Sequence, residues 1–258
     1  MKIVSIDLYS DFGFFRKPDT NNTINLSYNM IHKPVVLGLL GAILGLEGYR
    51  KKGVLPAYYL KLKDLKIAIE PLNHDKGNFA KTPIKYTNTV GYANKGSNFL
   101  TEELTLVRPT YRIYLLLDDS NELHLRLLQN LSEVKTEFIP YFGKNEFTAW
   151  WTKASYKTYA VNERKEEKNE GVKIKSLFIK SMQVKDNKEE PYVDHLASGN
   201  DEVESSYIYF ERLPKEFDEE LMQYKLEDFA YTNYLIKNAQ ALEDLYYLKE
   251  EDAYVQFI

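Results

Sequence analysis

The start of the chain alternates between apolar and polar residues, with Val4, Ile6 and Leu8 on every second position of residues 2–10. A period of two predicts a strand with one buried face. Residues 11–29 are rich in asparagine, threonine and aspartate, which predicts a polar loop. The next apolar segment is therefore expected to follow the first strand after a long connection.

Residues 32–53 are mostly apolar, contain glycines at four regular places and end in three basic residues. Pro34 lies in the first turn of the predicted helix, where a missing N–H does no harm. The glycines share one helical face because their spacings are three, four and three residues. They are Gly38, Gly41, Gly45 and Gly48. Each costs up to about 1 kcal/mol relative to alanine, so we expect this face to pack closely against another backbone.

Strands and one more helix are predicted up to residue 140. Residues 57–72 and 105–117 predict strands, and a polar, Gly- and Asn-rich insert separates them at about 73–99. Ser120 is a plausible N-cap for a second helix, because four leucines then share one face. These are Leu123, Leu127, Leu128 and Leu131.

The second part of the chain predicts mainly strands, at 154–163, 173–184 and 205–213. Beyond residue 215 the sequence is acidic and predicts helical or mixed structure. A short strand is predicted to close the chain at 253–258.

The order strand, helix, strand, insert, strand, helix matches the split βαβ plan. We therefore predict an α+β chain with a ferredoxin-like domain at 1–150, into which the long insert is placed. Residues 151–258 are predicted to form a strand-rich, acidic extension packed on that domain.

Composition narrows the chemistry. The 258 residues are 44% hydrophobic and 28% charged, as in ordinary globular proteins. The chain contains no cysteine, which excludes disulfides, a cysteine nucleophile and a cysteine metal site, and its four histidines are scattered. We predict no metal and no cofactor.

The beginning of the chain lacks the layout of a signal peptide. The longest apolar run, 34–46, is shorter than the roughly 20 residues that span a bilayer. We therefore expect a cytoplasmic protein without a membrane segment.

Charge is distributed unevenly, although the net charge is only −4. Residues 50–100 carry ten Lys/Arg and three Asp/Glu, whereas residues 201–258 carry five and fifteen. A basic middle and an acidic end suggest one surface for a polyanion and another for a different neighbour. The alternative is that both are simply solvated surfaces.

Three segments in order resemble one known family. They are FGFFRKP at 12–18, SYNMIHKPVVLGLLGAILGL at 27–46 and PYFGKNEF at 140–147. Together they cover roughly the first 150 residues and resemble the fifth CRISPR-associated protein family, most closely its type I-B branch. That family is the Cascade subunit that holds the 5′ end of CRISPR RNA (crRNA).

The resemblance implies a ferredoxin-like or RRM-like (RAMP) domain with an inserted thumb, for which the insert at 73–99 is the candidate. Such a subunit binds the crRNA 5′ handle, caps the backbone filament and contacts the backbone subunit and the large subunit. It supports target DNA binding indirectly, through the guide duplex, in the prokaryotic cytoplasm and without being an enzyme. The implied thumb residues are Lys76, Lys81, Lys85 and Tyr86.

The resembling segments combine aromatic rings, amides and cations, the mixture that recognises single-stranded RNA. Free N–H groups at the start of the glycine helix add possible phosphate ligands. The candidate RNA-binding residues are Phe15, Arg16, Lys17, Tyr28, Asn29, His32, Lys33, Arg50, Lys51, Lys52, Arg108, Arg112, Lys144 and Asn145.

Structural roles are open for several of these residues. One of Phe14 and Phe15 is expected in the core, and Tyr28 can pack on the helix. Arg108 can pair with a nearby glutamate, Glu102 or Glu103. The lysines at 51 and 52 can complement the helix dipole.

Three other functions stay open. A metal-independent endoribonuclease that processes CRISPR repeats would use Tyr49 with Lys51 or Lys52, and His32 or His124. A generic RRM-like module would place aromatics two apart on a central strand, as at Tyr207 and Tyr209. An interaction protein would use its 21 tyrosines as anchors.

Overall fold

Strands predominate in this computed structural model, which describes residues 1–18, 23–88, 99–161, 171–180, 192–193 and 206–258. The helices in these ranges are α1 (Lys33–Leu44), α2 (Ala57–Leu62) and α3 (Glu122–Glu133). The strands in the same ranges are β1 (Lys2–Tyr9), β2 (Phe12–Gly13), β3 (Phe15–Arg16), β4 (Ile24–Tyr28), β5 (Lys66–Leu72), β6 (Lys81–Asn88), β7 (Phe99–Val107), β8 (Thr110–Leu117), β9 (Lys157–Tyr159), β10 (Phe178–Ile179), β11 (Tyr192–Val193), β12 (Ile208–Asp218), β13 (Gln223–Thr232), β14 (Ile236–Lys237), β15 (Leu245–Leu248) and β16 (Ala253–Gln256). The predicted α+β class is confirmed.

The main sheet has the order β5–β8–β1–β9, and every neighbouring pair is antiparallel. β1 and β5 both run antiparallel to β8 and hence parallel to each other, which requires a crossover between them. Helix α1 lies in that connection, and α3 lies in the connection between β8 and β9. β9 pairs with β1 at Ile3↔Tyr159, so the sheet uses residues from both sides of the predicted boundary at 150.

Both faces of the main sheet are buried. Val4, Ile6 and Leu8 of β1 lie in one core with apolar residues of α1 and α3. The opposite face carries Ile3 and Tyr114 and packs against the end of the chain. The covering residues are Leu248, Val255 and Phe257. This second face is therefore closed by β15, β16 and the residues after them.

A second sheet combines the segment predicted as a loop with part of the insert. β7 pairs in parallel with β4 and antiparallel with β2 and β6, while β3 pairs with β4. The predicted single strand at 105–117 is wrong, because the chain turns at Arg108, where φ is +49°, and Pro109. β7 and β8 consequently belong to different sheets.

Helix α1 is shorter than its apolar sequence. It ends at Leu44, and Gly45 caps it with a left-handed φ of +70°. The predicted glycine face therefore stops there, and the basic residues 50–52 lie in the next loop rather than at the helix end. No helix in the described part of the chain is long and apolar enough to cross a bilayer.

Two other predicted segments differ in the structure. Residues 57–72 form α2 and β5 instead of one strand. The acidic region beyond residue 215 forms strands and short 3-10 turns, and its charged residues are interspersed with aromatic and aliphatic ones that favour strands. The strands predicted at 205–213 and 253–258 are present, whereas 181–184 lies outside the described residues.

Helix α3 follows the prediction closely. Leu127 and Leu131 are fully buried on its inner face. Its cap is Asn121 rather than Ser120, and the Asn121 side chain accepts the backbone N–H groups of Leu123 and His124.

Two glycines of α1 provide a matched test of close packing. A Cβ at Gly41 would lie 2.4 Å from Cβ of Tyr58 on α2, whereas one at Gly38 would meet the Tyr58 ring at an ordinary 3.8 Å. We expect Gly41→Ala to lower the free energy of unfolding by about 1–3 kcal/mol through overpacking. Gly38→Ala should raise it by up to about 1 kcal/mol, because alanine is the better helix former. Urea denaturation of both variants measures the difference, and equal effects would contradict the packing.

Candidate nucleic-acid interface

Two basic residues from distant parts of the sequence meet at Glu211. Lys17 follows β3, and its Nζ lies 3.1 Å from Oε1 of Glu211. Lys81 begins β6, and its pKa is lowered by burial and by Lys17, while Glu211 acts in the opposite direction. The three charges are therefore neighbours. They place the segment after the first strand and the predicted thumb on one surface.

Glu211 is a buried structural residue, with 7% of its side chain exposed. Its carboxylate accepts the backbone N–H groups of Asn29 and Met30 at 3.1 and 3.0 Å, and the hydroxyl of Tyr209 at 2.8 Å. One carboxylate therefore lies beside two lysines. Sequence reasoning missed Glu211, because nothing distinguishes it from the other acids of the C-terminal region.

The basic surface continues along β6. Lys81 and Lys85 lie four residues apart in one strand and hence on one face, where both are exposed. Nζ of Lys85 lies 3.6 Å from Glu102 of the paired strand β7. Arg16 of β3 is exposed, but the strand register places it on the opposite face of this sheet from Lys81 and Lys85. We call Lys17, Lys81 and Lys85 the basic sheet surface.

The predicted insert begins with a turn and continues into β6. Residues 89–98 lie outside the described residues, and Lys76 is exposed in the turn before β6 with φ +49°. The part of the insert that is described pairs with β7 as an ordinary strand. Its role as a thumb stays a prediction.

Lys144 lies between a glutamate and an aromatic ring. Its Nζ is 2.7 Å from Oε2 of Glu103 and 3.9 Å from the ring centre of Tyr86, a predicted thumb residue. Asn145 beside it is exposed. The turn at Gly143 does approach a backbone closely, but that backbone is Phe14 of the same chain, as a Cβ on Gly143 would lie 1.9 Å from the Phe14 carbonyl oxygen.

Several candidate RNA-binding residues are core residues. Phe15, Tyr28, Asn29 and His32 are each at most 3% exposed, and Lys33 is 8% exposed. Asn29 donates to the Gly77 carbonyl and accepts from the Phe79 N–H, which ties the entry of α1 to the turn before β6. Their burial removes these five residues from the accessible surface, which corrects the sequence-based assignment.

Burial also sets the charge of two of these residues. Desolvation lowers the pKa of His32 to about 3, so its imidazole is neutral at pH 7. Desolvation is likewise the main reason that the pKa of Lys33 is lowered to about 8, while its Nζ donates to the carbonyl oxygen of Ile258 at 3.0 Å. Neither side chain is positioned for a phosphate.

Arg112 belongs to a buried charge network on the second face of the main sheet. Its Nε and Nη2 donate to the two carboxylate oxygens of Asp7 at 2.6 and 3.0 Å, and these bonds are the main cause that raises its pKa. Glu70 and Glu251 each lie 3.8 Å away, and Lys175 bridges them. We call these five residues the sheet-face network. It fixes the C-terminal strands, so Arg112 is structural in this arrangement.

The remaining candidate cations are exposed elsewhere. Arg50 pairs with Glu47 at 2.9 Å, and Lys51 and Lys52 follow it in the same loop. Arg108 is exposed at the turn between β7 and β8. The sequence suggested that Arg108 pairs with Glu102 or Glu103. In the structure Glu102 pairs with Lys85, and Glu103 pairs with Lys144.

The residues of the alternative functions are separated. His124 accepts the Asp118 N–H through Nδ1 on α3, whereas His32 is in the core. Tyr207 precedes β12 and Tyr209 is its second residue, and β12 is not part of the main sheet. The ring of Tyr207 packs on His74. No group of three or more potential metal ligands of the His, Cys, Asp or Glu type occurs in the described part of the chain.

No protein-family model and no curated protein matches this sequence. Solved structures that are similar include a CRISPR protein from Archaeoglobus fulgidus, with 12% identity, 99% and 98% of the two chains covered and a TM-score of 0.49. Another is a chain of a CRISPR RNA-guided surveillance complex, with 10% identity, 92% and 91% covered and a TM-score of 0.48. A third is a chain of type III-B Cmr-beta bound to cognate target RNA, with 12% identity, 93% and 87% of the two chains covered and a TM-score of 0.45. Similarity at these levels assigns neither a family nor a function.

Proposed function

We propose that the protein is a non-catalytic subunit of a type I CRISPR effector complex that binds the 5′ handle of crRNA. The sequence resemblance at 12–18, 27–46 and 140–147 motivates the proposal. Its partners would be crRNA, a backbone subunit and a large subunit, with target DNA held through the guide duplex.

The observation that carries the proposal is the basic sheet surface. Lys17 and Lys81 are 64 positions apart, yet they flank the same carboxylate. Two lysines near one another repel, and a bound phosphate would relieve that repulsion while releasing counterions. Lys85 lies on the same strand face as Lys81 and extends the basic surface along the sheet, which suits a polyanion.

The strand order supports the predicted ferredoxin-like domain. In a split βαβ plan the third strand lies between the first two, and the fourth joins the other side of the first. The order β5–β8–β1–β9, with α1 and α3 as connections, fits that arrangement. The generic RRM-like alternative is less favoured, because it needs an open sheet face and here β15 and β16 cover that face.

The nuclease alternative requires an accessible acid and base near one phosphate. His32 is 3% exposed, and desolvation lowers its pKa to about 3. It therefore cannot serve as an accessible acid or base beside Tyr49 and the lysines of the same loop. Incubating the protein with repeat RNA in EDTA should give no cut, and a specific cut that Tyr49→Phe abolishes would overturn the proposal.

The test of RNA binding compares two triple variants after co-expression with the neighbouring genes. The test variant is Lys17→Ala/Lys81→Ala/Lys85→Ala. The control changes three exposed lysines outside the basic sheet surface: Lys153, Lys173 and Lys249. We expect the first variant to lose RNA and the second to retain it. The slope of log affinity against log salt should fall by about 2 in the first, near 0.7 per lost phosphate contact on single strands.

Sequencing the co-purified RNA separates the candidate functions. One constant 5′ end supports the handle-binding role, and heterogeneous RNA points to a generic binder. The absence of RNA from the unmodified complex would overturn the proposal. Equal RNA loss in both triple variants would overturn the role of the basic sheet surface.

A further inference from the structure

An apolar groove of about 420 Å³ runs along the outer side of α1. Small residues of the helix, Gly38 and Ala42, form its floor, and Tyr58 of α2 forms one wall. Phe217 and Tyr224 of the β12–β13 ribbon and residues 138–141 complete it. We call it the α1 groove.

The rim of the α1 groove exposes large apolar side chains. Tyr49 is 58% exposed, Phe138 58%, Ile139 68% and Tyr141 45%. Single exposed apolar residues are ordinary, but four that line one groove form a contiguous patch of the kind that marks an interaction site. Tyrosine and phenylalanine are also enriched at the centres of protein interfaces.

The lining chemistry favours a protein over a nucleic acid. None of the described residues that line the groove is charged. A nucleotide would therefore find rings for its base but no cation inside the groove for its phosphate. An apolar side chain needs neither a hydrogen-bond partner nor a counter-charge there.

A helix suits the groove better than an extended strand. The floor is an α-helix whose backbone groups are already paired, so it offers no strand edge for main-chain pairing. Pro34 and Ala42, both in the lining, are eight residues apart on α1, which makes the floor about 12 Å long. Side chains at positions i, i+4 and i+7 of a partner helix span about 10.5 Å and fit that length.

Charge at one end identifies the partner further. Tyr49 of the rim is followed directly by Arg50, Lys51 and Lys52, all exposed. Arg50 pairs with Glu47, and no ion pair is recorded for either lysine within the described ranges. Two positive charges thus remain for acidic residues that flank the apolar side chains of the occupant.

We propose that the α1 groove binds an amphipathic helix of a partner protein, with bulky apolar residues at i, i+4 and i+7 and acidic residues at one end. The inference does not depend on the proposed RNA function. It assigns the loop at 50–52 to a protein neighbour, whereas that function relies on the basic sheet surface.

The probe for the test is a phage-displayed library of peptides about 16 residues long, enough for more than four helical turns. The 258-residue chain is the target, and its Ile139→Glu variant is used for counter-selection. We expect enriched peptides to share three apolar residues at helical spacing and acidic residues at one end. The tightest is then synthesised, and its binding is measured by fluorescence anisotropy.

Variants of the protein localise the binding. Ile139→Glu should weaken the peptide at least tenfold, a change of about 1.4 kcal/mol. Gly38→Leu should also weaken peptide binding at least tenfold, because the leucine side chain would occupy the floor of the groove. The matched control is Leu125→Glu, a change at a 46% exposed leucine on α3 outside the groove, which should leave affinity unchanged. Circular dichroism confirms that each variant is folded.

Four results would overturn the inference. One is the absence of enrichment over the Ile139→Glu protein, and another is enrichment of basic peptides. A third is a single-stranded RNA octamer whose binding Gly38→Leu abolishes, since the groove would then hold nucleotides. The fourth is a dimer in solution that Ile139→Glu dissociates, because the occupant would then be a second copy of the chain.

Discussion

Asp7→Ala is expected to lower the free energy of unfolding by about 3 kcal/mol. The change removes both charge-assisted hydrogen bonds to Arg112, whose side chain is only 12% exposed. Glu70 and Glu251 stay 3.8 Å from the guanidinium and compensate only in part. Guanidinium chloride denaturation at pH 7 measures the loss.

An exposed ion pair is the control for this experiment. Arg212 and Asp228 lie 4.0 Å apart with side chains 68% and 58% exposed. Asp228→Ala should therefore cost less than about 1 kcal/mol. If Asp7→Ala costs no more than Asp228→Ala, the sheet-face network does not hold the C-terminal strands in place. Limited proteolysis of residues 245–258 provides a second measurement, with faster cleavage expected in Asp7→Ala.

Gly143→Ala is expected to destabilise the fold by about 3 kcal/mol or more. Gly143 has φ +84°, and a Cβ there would lie 1.9 Å from the carbonyl oxygen of Phe14. This carbonyl belongs to the Phe14 backbone, which is itself held in place because the Phe14 N–H donates to the Phe142 carbonyl oxygen at 3.0 Å. The clash therefore cannot be relieved by rotating a side chain.

Gly53 separates the steric effect from the conformational one. It also has a positive φ, +76°, but a Cβ there would meet nothing within 4 Å. Gly53→Ala should thus show only the cost of a left-handed alanine, about 1–2 kcal/mol. Thermal unfolding of the two variants is the measurement. Equal midpoints would mean that the turn at Gly143 is not held against Phe14.

Elements with a strong local pattern could be predicted from the sequence. The alternation at the start of the chain gives β1, the leucines of α3 give its buried face, and Pro34 marks the start of α1. The segment after β1 could not be predicted, because β4 is short and pairs with β7, 78 residues later in the chain, while β3 pairs only with β4. Aromatic-rich strands beyond residue 215 were obscured by their acidic residues.

The candidate site was predictable only as a set of residue types. Lys17, Lys81 and Lys85 were chosen from two segments, and only the fold shows that they share a surface. The same fold places Arg16, chosen beside Lys17, on the opposite face of the sheet. Buried candidates such as His32 and Asn29 are polar residues in core positions. Sequence reasoning could not identify them as buried, because the burial of a polar group depends on partners that are distant in sequence. Asn29 is a clear case, since Gly77 and Phe79 are its partners.

The position of β1 at the centre of the main sheet has a consequence for synthesis on the ribosome. Ile3 precedes its partner in β8, Leu116, by 113 residues and its partner in β9, Tyr159, by 156 residues. At about 5–20 residues per second, translation takes roughly 6–23 seconds to supply the first partner and roughly 8–31 seconds to supply the second. Until β8 is made, the nascent chain carries an apolar strand without a partner on either edge, and we expect chaperones to bind such a strand.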